Sequence, residues 1–145
     1  MNAPVSYAPR APRALWPAMR RGFRCRCPNC GQGKLFRAYL KVVDRCAVCG
    51  TELFHQRADD APPYFVILIT GHIVVPIALI VETELAPPLW LHALLWGPLT
   101  VAMALGLLQP VKGAIVGWQW ATYMHGFDPD HRDEYADVGG GDRTP

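Results

Sequence analysis

The chain has 145 residues, a formal net charge of +2 and 51% hydrophobic side chains. That length leaves room for one small domain beside a membrane segment and excludes two large soluble domains. The mild net charge hides a segregation: residues 1–63 hold eleven of the fourteen Lys and Arg, residues 64–108 hold none, and residues 126–145 hold six acids.

Residues 1–23 are rich in Pro, Ala and Arg, with four prolines among the first nineteen residues. Prolines this dense oppose a long helix, so the sequence predicts a disordered basic arm. Arg10, Arg13, Arg20, Arg21 and Arg24, with Trp16 and Phe23, suit contact with anionic lipid. The charges are too few to point to nucleic acid. The first twenty residues lack the apolar stretch of a secretory signal peptide, so insertion is expected to rest on the first apolar run downstream.

Residues 24–57 predict a small zinc-ribbon-like module. Cys27 and Cys30 stand in CPNCG, Cys46 and Cys49 in CAVCG, and the whole reads C-x2-C-x15-C-x2-C. Two thiolates in one tight turn can reach a single metal at about 2.3 Å, and two such turns complete a tetrahedron. Gly31 and Gly50 follow the second cysteine of each pair, where a residue without Cβ lets backbone N–H groups curl toward sulfur. Leu35, Phe36, Tyr39, Leu40 and Val42 offer a minimal core between the pairs, too small to fold without a metal. Zinc is the expected ion. The same four thiolates would suit iron, and a redox dithiol is the other alternative. Cys25 is the odd cysteine, either a spare thiol or a transfer thiol, and His55 is expected at the surface.

Residues 58–108 read as a two-span transmembrane hairpin, with spans at 64–81 and 89–108. Each run approaches the ~20 apolar residues that cross ~30 Å of hydrocarbon, and neither has a polar face. Asp59 or Asp60 is placed to cap the first span, with Pro62 and Pro63 in its first turn and Arg57 at the headgroups. His72 falls near mid-depth, either as a neutral ring bonded to the second span or a partner or as a functional group, and Pro76 leaves its carbonyl without a helical donor. In the ETELAPP loop and just beyond it, Glu82, Glu84 and His92 form either a wet interfacial cluster or a cation or proton site. Trp90 suits the aromatic belt, and Ala93, Gly97, Ala102 and Gly106 would let another helix approach closely.

Residues 109–127 predict a separate helix at the lipid–water boundary, opened by Pro110, with Val111, Ile115, Trp118 and Tyr123 near helical spacing. Lys112, Trp118 and Trp120 fit that boundary, and Gly113 and Gly117 form a GxxxG step. Residues 128–145 are acidic and Gly-rich, which predicts a flexible tail. Arg45, Arg57 and Lys112 flank the spans while the loop has no Lys or Arg, which places both termini in the cytosol. A four-thiolate site prefers the same reducing compartment.

The segments CPNCGQGKLFRAYLKVVDRCAVCG, ADDAPPYFVILITGHIVVP, PPLWLH, PVKGAIV and WATYMHGF together resemble the bacterial family named "domain of unknown function 983" over about residues 24–127. The resemblance implies a small protein of the bacterial inner membrane with a cysteine-paired cytosolic segment, and it brings no established activity, substrate or catalytic residue. Family genes lie near haem–copper oxidase biogenesis genes in some bacteria, which implies an assembly role. The chain shows no nucleophile–base pair and no phosphate-binding glycine loop. The expected function is a non-enzymatic assembly or scaffolding factor for a membrane complex, with respiratory oxidase biogenesis as a setting. Metal handling (zinc or copper delivery) or redox work at the cysteines is the alternative. Expected partners are the bilayer and either a membrane protein or a second copy, met through the small-residue helix faces.

Overall fold

The computed structural model of the chain describes residues 11–58 and 60–128. Arg10, Asp59 and the tail beyond Asp128 lie outside those residues. The element order is α1 (Leu15–Phe23), β1 (Phe36–Ala38), β2 (Lys41–Val42), α2 (Ala61–Leu85), α3 (Leu89–Ala121) and a 3-10 turn, His125–Phe127.

α2 and α3 are long and apolar enough to cross a membrane. At about 1.5 Å per residue they measure ~37 and ~50 Å. Of the most apolar window of each, 17% in α2 and 0% in α3 is buried within the chain, so most apolar side chains face outward. The helices meet along one seam, where Val66, Thr70 and Val74 recur every fourth residue on α2. Thr70 Oγ1 is buried there without a hydrogen-bond partner. Trp96, Thr100, Met103, Ala104 and Leu107 are among the partly covered positions of α3. Ala93, Gly97, Ala102 and Gly106 are exposed instead, and nothing within the chain approaches Gly97 or Gly106.

Three expectations need correction. Residues 15–23, expected as part of a disordered arm, form α1. Pro17 is its third residue, where no intrahelical N–H is required, and no proline follows until Pro28. Second, residues 109–121 continue α3 rather than starting a new helix; Pro98 and Pro110 are both accommodated inside it. Third, that extension is not a bare interfacial face. α1 covers it, and Val111, Ile115, Val116, Gln119 and Trp120 are buried. The contact is backbone against backbone: Gly22 of α1 meets Gly113, and Ala18 meets Gly117. The cause lies in the side chains missing at those positions, which lets two helices approach closely.

The β1–β2 ribbon is antiparallel, with Phe36 opposite Val42 and Ala38 opposite Lys41. Leu35, Phe36 and Val42 are buried as expected, whereas Tyr39 is 51% exposed. Their core is also larger than the cysteine segment. It joins Ala18, Leu53, Val66, Ile115 and Phe127, so α1, the ribbon, the first turns of α2 and the end of α3 form one body. Asp60 does hold the N-cap position of α2, without a side-chain cap bond, and Pro62 and Pro63 lie in the first turn.

Candidate metal centre

Each cysteine pair sits at the tip of a tiny hairpin. Arg26 bridges Lys34 around the first pair and Arg45 bridges Glu52 around the second. Gly31 N–H donates to the Cys27 carbonyl and Gly50 N–H to the Cys46 carbonyl, both at 2.9 Å. The two glycines take φ of 73° and 71°, the left-handed conformation that such a reversal demands. The knuckles are thus repeats of one backbone solution. Gly33 is constrained differently: a Cβ there would overlap Cys46 Sγ.

The knuckles face each other. Cys27 Sγ lies 3.7 Å from Cys49 Sγ and Cys30 Sγ 3.8 Å from Cys46 Sγ, and all four sulfurs fall within 4.8 Å of one another. A tetrahedral ion with sulfur at about 2.3 Å has edges of about 3.8 Å, so the cluster has the dimensions of a four-thiolate metal site. The cysteines are free thiols. Cys27 and Cys46 are buried, Cys30 is half-buried and Cys49 is exposed. Among the described residues this is the one group of His, Cys, Asp or Glu arranged to hold an ion.

The thiols differ electrostatically. Burial pushes Cys27 far up, against the backbone N–H groups of Cys30 and Asn29. The backbone N–H groups of Gly33 and Gln32 hold Cys30 down. For Cys49, burial pulls upward, but the hydroxyl and backbone N–H of Thr51, together with the Cys46 and Cys30 thiols, bring the thiol to about 6. Without an ion, the site therefore mixes a protonated buried thiol with an anionic exposed one. A cation would draw the proton from Cys27 and neutralise the converging charge.

Residues outside the cysteine pattern hold this geometry. Arg21 of α1 donates to the carbonyls of Pro28 (3.1 Å) and Asn29 (2.5 Å), fixing the first knuckle to the helix. Asn29 Nδ2 donates to Thr51 Oγ1 at 2.7 Å, tying the first knuckle to the second. Thr51 Oγ1 in turn lies 3.1 Å from Cys49 Sγ. Sequence reasoning assigned Arg21 to lipid contact and missed Asn29 and Thr51, though each of these lies within two residues of a ligand candidate. Arg21, Asn29, Cys49, Thr51 and His55 line a cleft of about 740 Å³ beside the exposed Cys49.

Cys25 is not in the cluster. It takes φ of 57° just past α1, donates its N–H to the Gly22 carbonyl, and is followed by Arg26 N–H bonding to Arg21. That pair of bonds is a Schellman cap, with Cys25 in the left-handed position. Burial raises its thiol. His55 is not a surface residue as expected. Its side chain is 13% exposed, its ring tilted against Phe54 with centroids 3.9 Å apart, edge-on to Phe127 at 5.9 Å, and near Glu52. Arg57 is exposed, and its backbone N–H donates to Gln119 of α3.

The histidines of the apolar helices stand apart from the thiols. His72 Nδ1 donates to the carbonyl of Leu68 in its own helix at 2.8 Å, and its ring faces outward. His92 Nδ1 accepts from Trp96 Nε1–H at 2.9 Å, which leaves its proton on Nε2. That nitrogen is buried, 2.9 Å from Glu82 Oε2 and out of line for a good hydrogen bond. A ring so disposed has no lone pair left for a cation. Glu84 is exposed and outside the pair.

A family model described as "Protein of unknown function (DUF983)" matches residues 36–120. The match takes in the second cysteine pair, α2 and nearly all of α3, and begins after Cys27 and Cys30. No curated protein and no solved structure matches the chain.

Proposed function

Because the chain belongs to the DUF983 family, which brings no activity to transfer, we propose from its own residues a non-enzymatic membrane protein that carries a zinc module rigidly on a two-span hairpin. Its role is to scaffold or assemble a membrane complex. One observation carries this reading: the thiol cluster, α1 and the end of α3 share a single core, so the metal centre is fixed to the helices rather than tethered. A rigid module with a built site and no catalytic pair suits presentation of a surface to a partner.

Several features support the membrane part. The outward apolar faces of α2 and α3 exceed what a soluble monomer leaves in water. The thirteen residues of α3 past Leu108 add about 20 Å, the length that carries the cysteine module clear of the hydrocarbon. Arg45, Arg57 and Lys112 favour the cytosol for that end, as does the chemistry of free thiolates. The localisation is then the bacterial inner membrane with both termini cytoplasmic. The exposed faces around Ala93 and Gly97, and around Ala102 and Gly106, suit a membrane-protein partner or a second copy. A respiratory oxidase is the complex that the family resemblance suggests.

A second reading, delivery of zinc or copper, is favoured by the exposure of Cys49, whose sulfur an incoming ligand can reach. The test is metal and partner content of the protein purified from native membranes in mild detergent without added metal. The scaffold reading expects one zinc per chain that resists moderate chelator, and a co-purifying membrane protein. Loosely held zinc or copper would favour delivery, and iron with a visible thiolate band would favour redox work. Protease cleavage of the Ala86–Pro88 loop from the cytosolic side would overturn the topology.

A further inference from the structure

The ribbon reaches down to the apolar run of α3. Leu35 packs against Gly113. Four residues later, Tyr39 Oη donates to the carbonyl of Leu105 at 2.6 Å. From Gly113 back to Leu105 the helix covers about 12 Å, and from Leu35 to Tyr39 an extended chain covers about 13 Å. The chain thus touches α3 on either side of β1, which itself makes no close backbone approach to the helix: at Leu35, and again through the Tyr39 hydroxyl, which sets the turn beside Leu105 at the edge of the apolar run. Pro110 leaves the Gly106 carbonyl, next to Leu105, without its helical donor, so this stretch of backbone is one where outside donors are useful.

The turn has unusual chemistry for its conformation. Short ribbon turns favour Asn and Gly, because they require a left-handed residue. Here the turn residues are Tyr39 and Leu40, and Leu40 takes φ of 60°. Tyr39 is 51% exposed, Arg37 and Lys41 are exposed on either side, and no acid lies between residues 37 and 41. Arg37 pairs loosely with Asp44 at 4.0 Å, with both side chains more than half exposed. The Tyr39 hydroxyl is anchored to Leu105 and Leu40 is half-buried, but the Tyr ring stays half-exposed between two cations, a costly arrangement in water. At a bilayer surface the Tyr ring suits the headgroup layer, Leu the first methylenes below it, and the two cations the lipid phosphates.

We propose that the Arg37–Lys41 turn is a lipid-contacting foot, seated on the anionic headgroup layer of the membrane that α2 and α3 cross. The inference rests on the reading of those helices as spans. The foot and the α1–α3 contact then fix the metal module at two points, so that it stands at one height and one orientation above the membrane.

The test places a genetically encoded, environment-sensitive fluorescent residue at position 40 in the full chain, reconstituted in nanodiscs of mixed zwitterionic and anionic lipid. Parallel proteins carry it at position 80, in the outward face of α2, and at position 47, on the second knuckle. Lipid brominated near the headgroup end of its chains is the quencher. The foot predicts loss of most of the emission at positions 40 and 80, with position 47 unaffected. An unquenched position 40 beside a quenched position 80 overturns the foot and leaves the spans standing. An unquenched position 80 overturns both. Should the Leu40 replacement fail to elute as a monodisperse species, the same label at Lys41 decides by the same criterion, because that side chain is already exposed.

Discussion

Gly22 and Gly113 meet so closely that a Cβ on either one would overlap the carbonyl of the other. The overlap is with backbone, which cannot swing aside as a side chain can. Ala18 and Gly117 repeat the contact one turn along, so the whole docking of α1 on α3 depends on four positions of minimal size.

Gly113→Ala should therefore destabilise the protein by about 1–3 kcal/mol, the range for overpacking a filled contact, despite improving helix propensity. Gly106→Ala is the control on the same helix. Nothing lies near Gly106, so that substitution should be neutral or stabilise by up to about 1 kcal/mol. Thermal unfolding in detergent compares them. Equal midpoints for the two variants would mean that α1 does not dock as described.

Cys25 and Cys27 are two residues apart and should behave oppositely. Cys25 occupies a left-handed cap position, where Gly removes a steric cost of about 1 kcal/mol at the expense of some thiol packing. Cys25→Gly should keep its full metal content and stay within about 1 kcal/mol of the parent. Cys27→Ser should lose the ion and, with it, binding free energy of order 10 kcal/mol that the small module cannot replace. Metal analysis and protein accumulation read both. A Cys25→Gly protein with full metal but impaired metal transfer would revive the delivery reading.

The cysteine pattern and the two apolar runs were legible because both are local: a spacing of two residues and a run of about twenty need no knowledge of the rest of the chain. α1 and the extension of α3 were not. The GxxxG step at Gly113 and Gly117 could be read, but its partner at Ala18 and Gly22 stands about ninety residues away, in a stretch whose prolines argued for disorder. The small residues that looked most like a seam, Ala93, Gly97, Ala102 and Gly106, are exposed, while Thr70 and Thr100 lie along the actual seam. Size alone does not say which face of an apolar helix meets its neighbour.

His92 offers a negative prediction. Its Nδ1 is taken by the Trp96 N–H, so the ring cannot give a lone pair to a metal while that bond holds. His92→Ala should leave the metal content per chain unchanged, both as purified and after incubation with excess zinc followed by desalting. Loss of a bound equivalent would mean that Glu82 and His92 form a second site after all.

The last prediction concerns acidity at the thiol cluster. In the metal-free protein Cys49 is held at about 6, below its ordinary value of 9.0, and Thr51 is the main cause of the lowering. A thiol depressed by folding stabilises the folded state fully only above its unfolded value. That contribution is lost as the pH falls through about 6. Alkylation of Cys49 in chelator-treated protein should accordingly show a midpoint near 6, and Thr51→Val should move it upward. Cys27 is pushed the other way by burial and stays protonated through neutral pH. Zinc loading at pH 7 should therefore release fewer than four protons from the four thiols, with Cys27 among the sources. Calorimetry in buffers of different ionisation enthalpy measures that number. Release of four protons at pH 7 would show that Cys49 enters the reaction protonated, and that Thr51 does not set its charge.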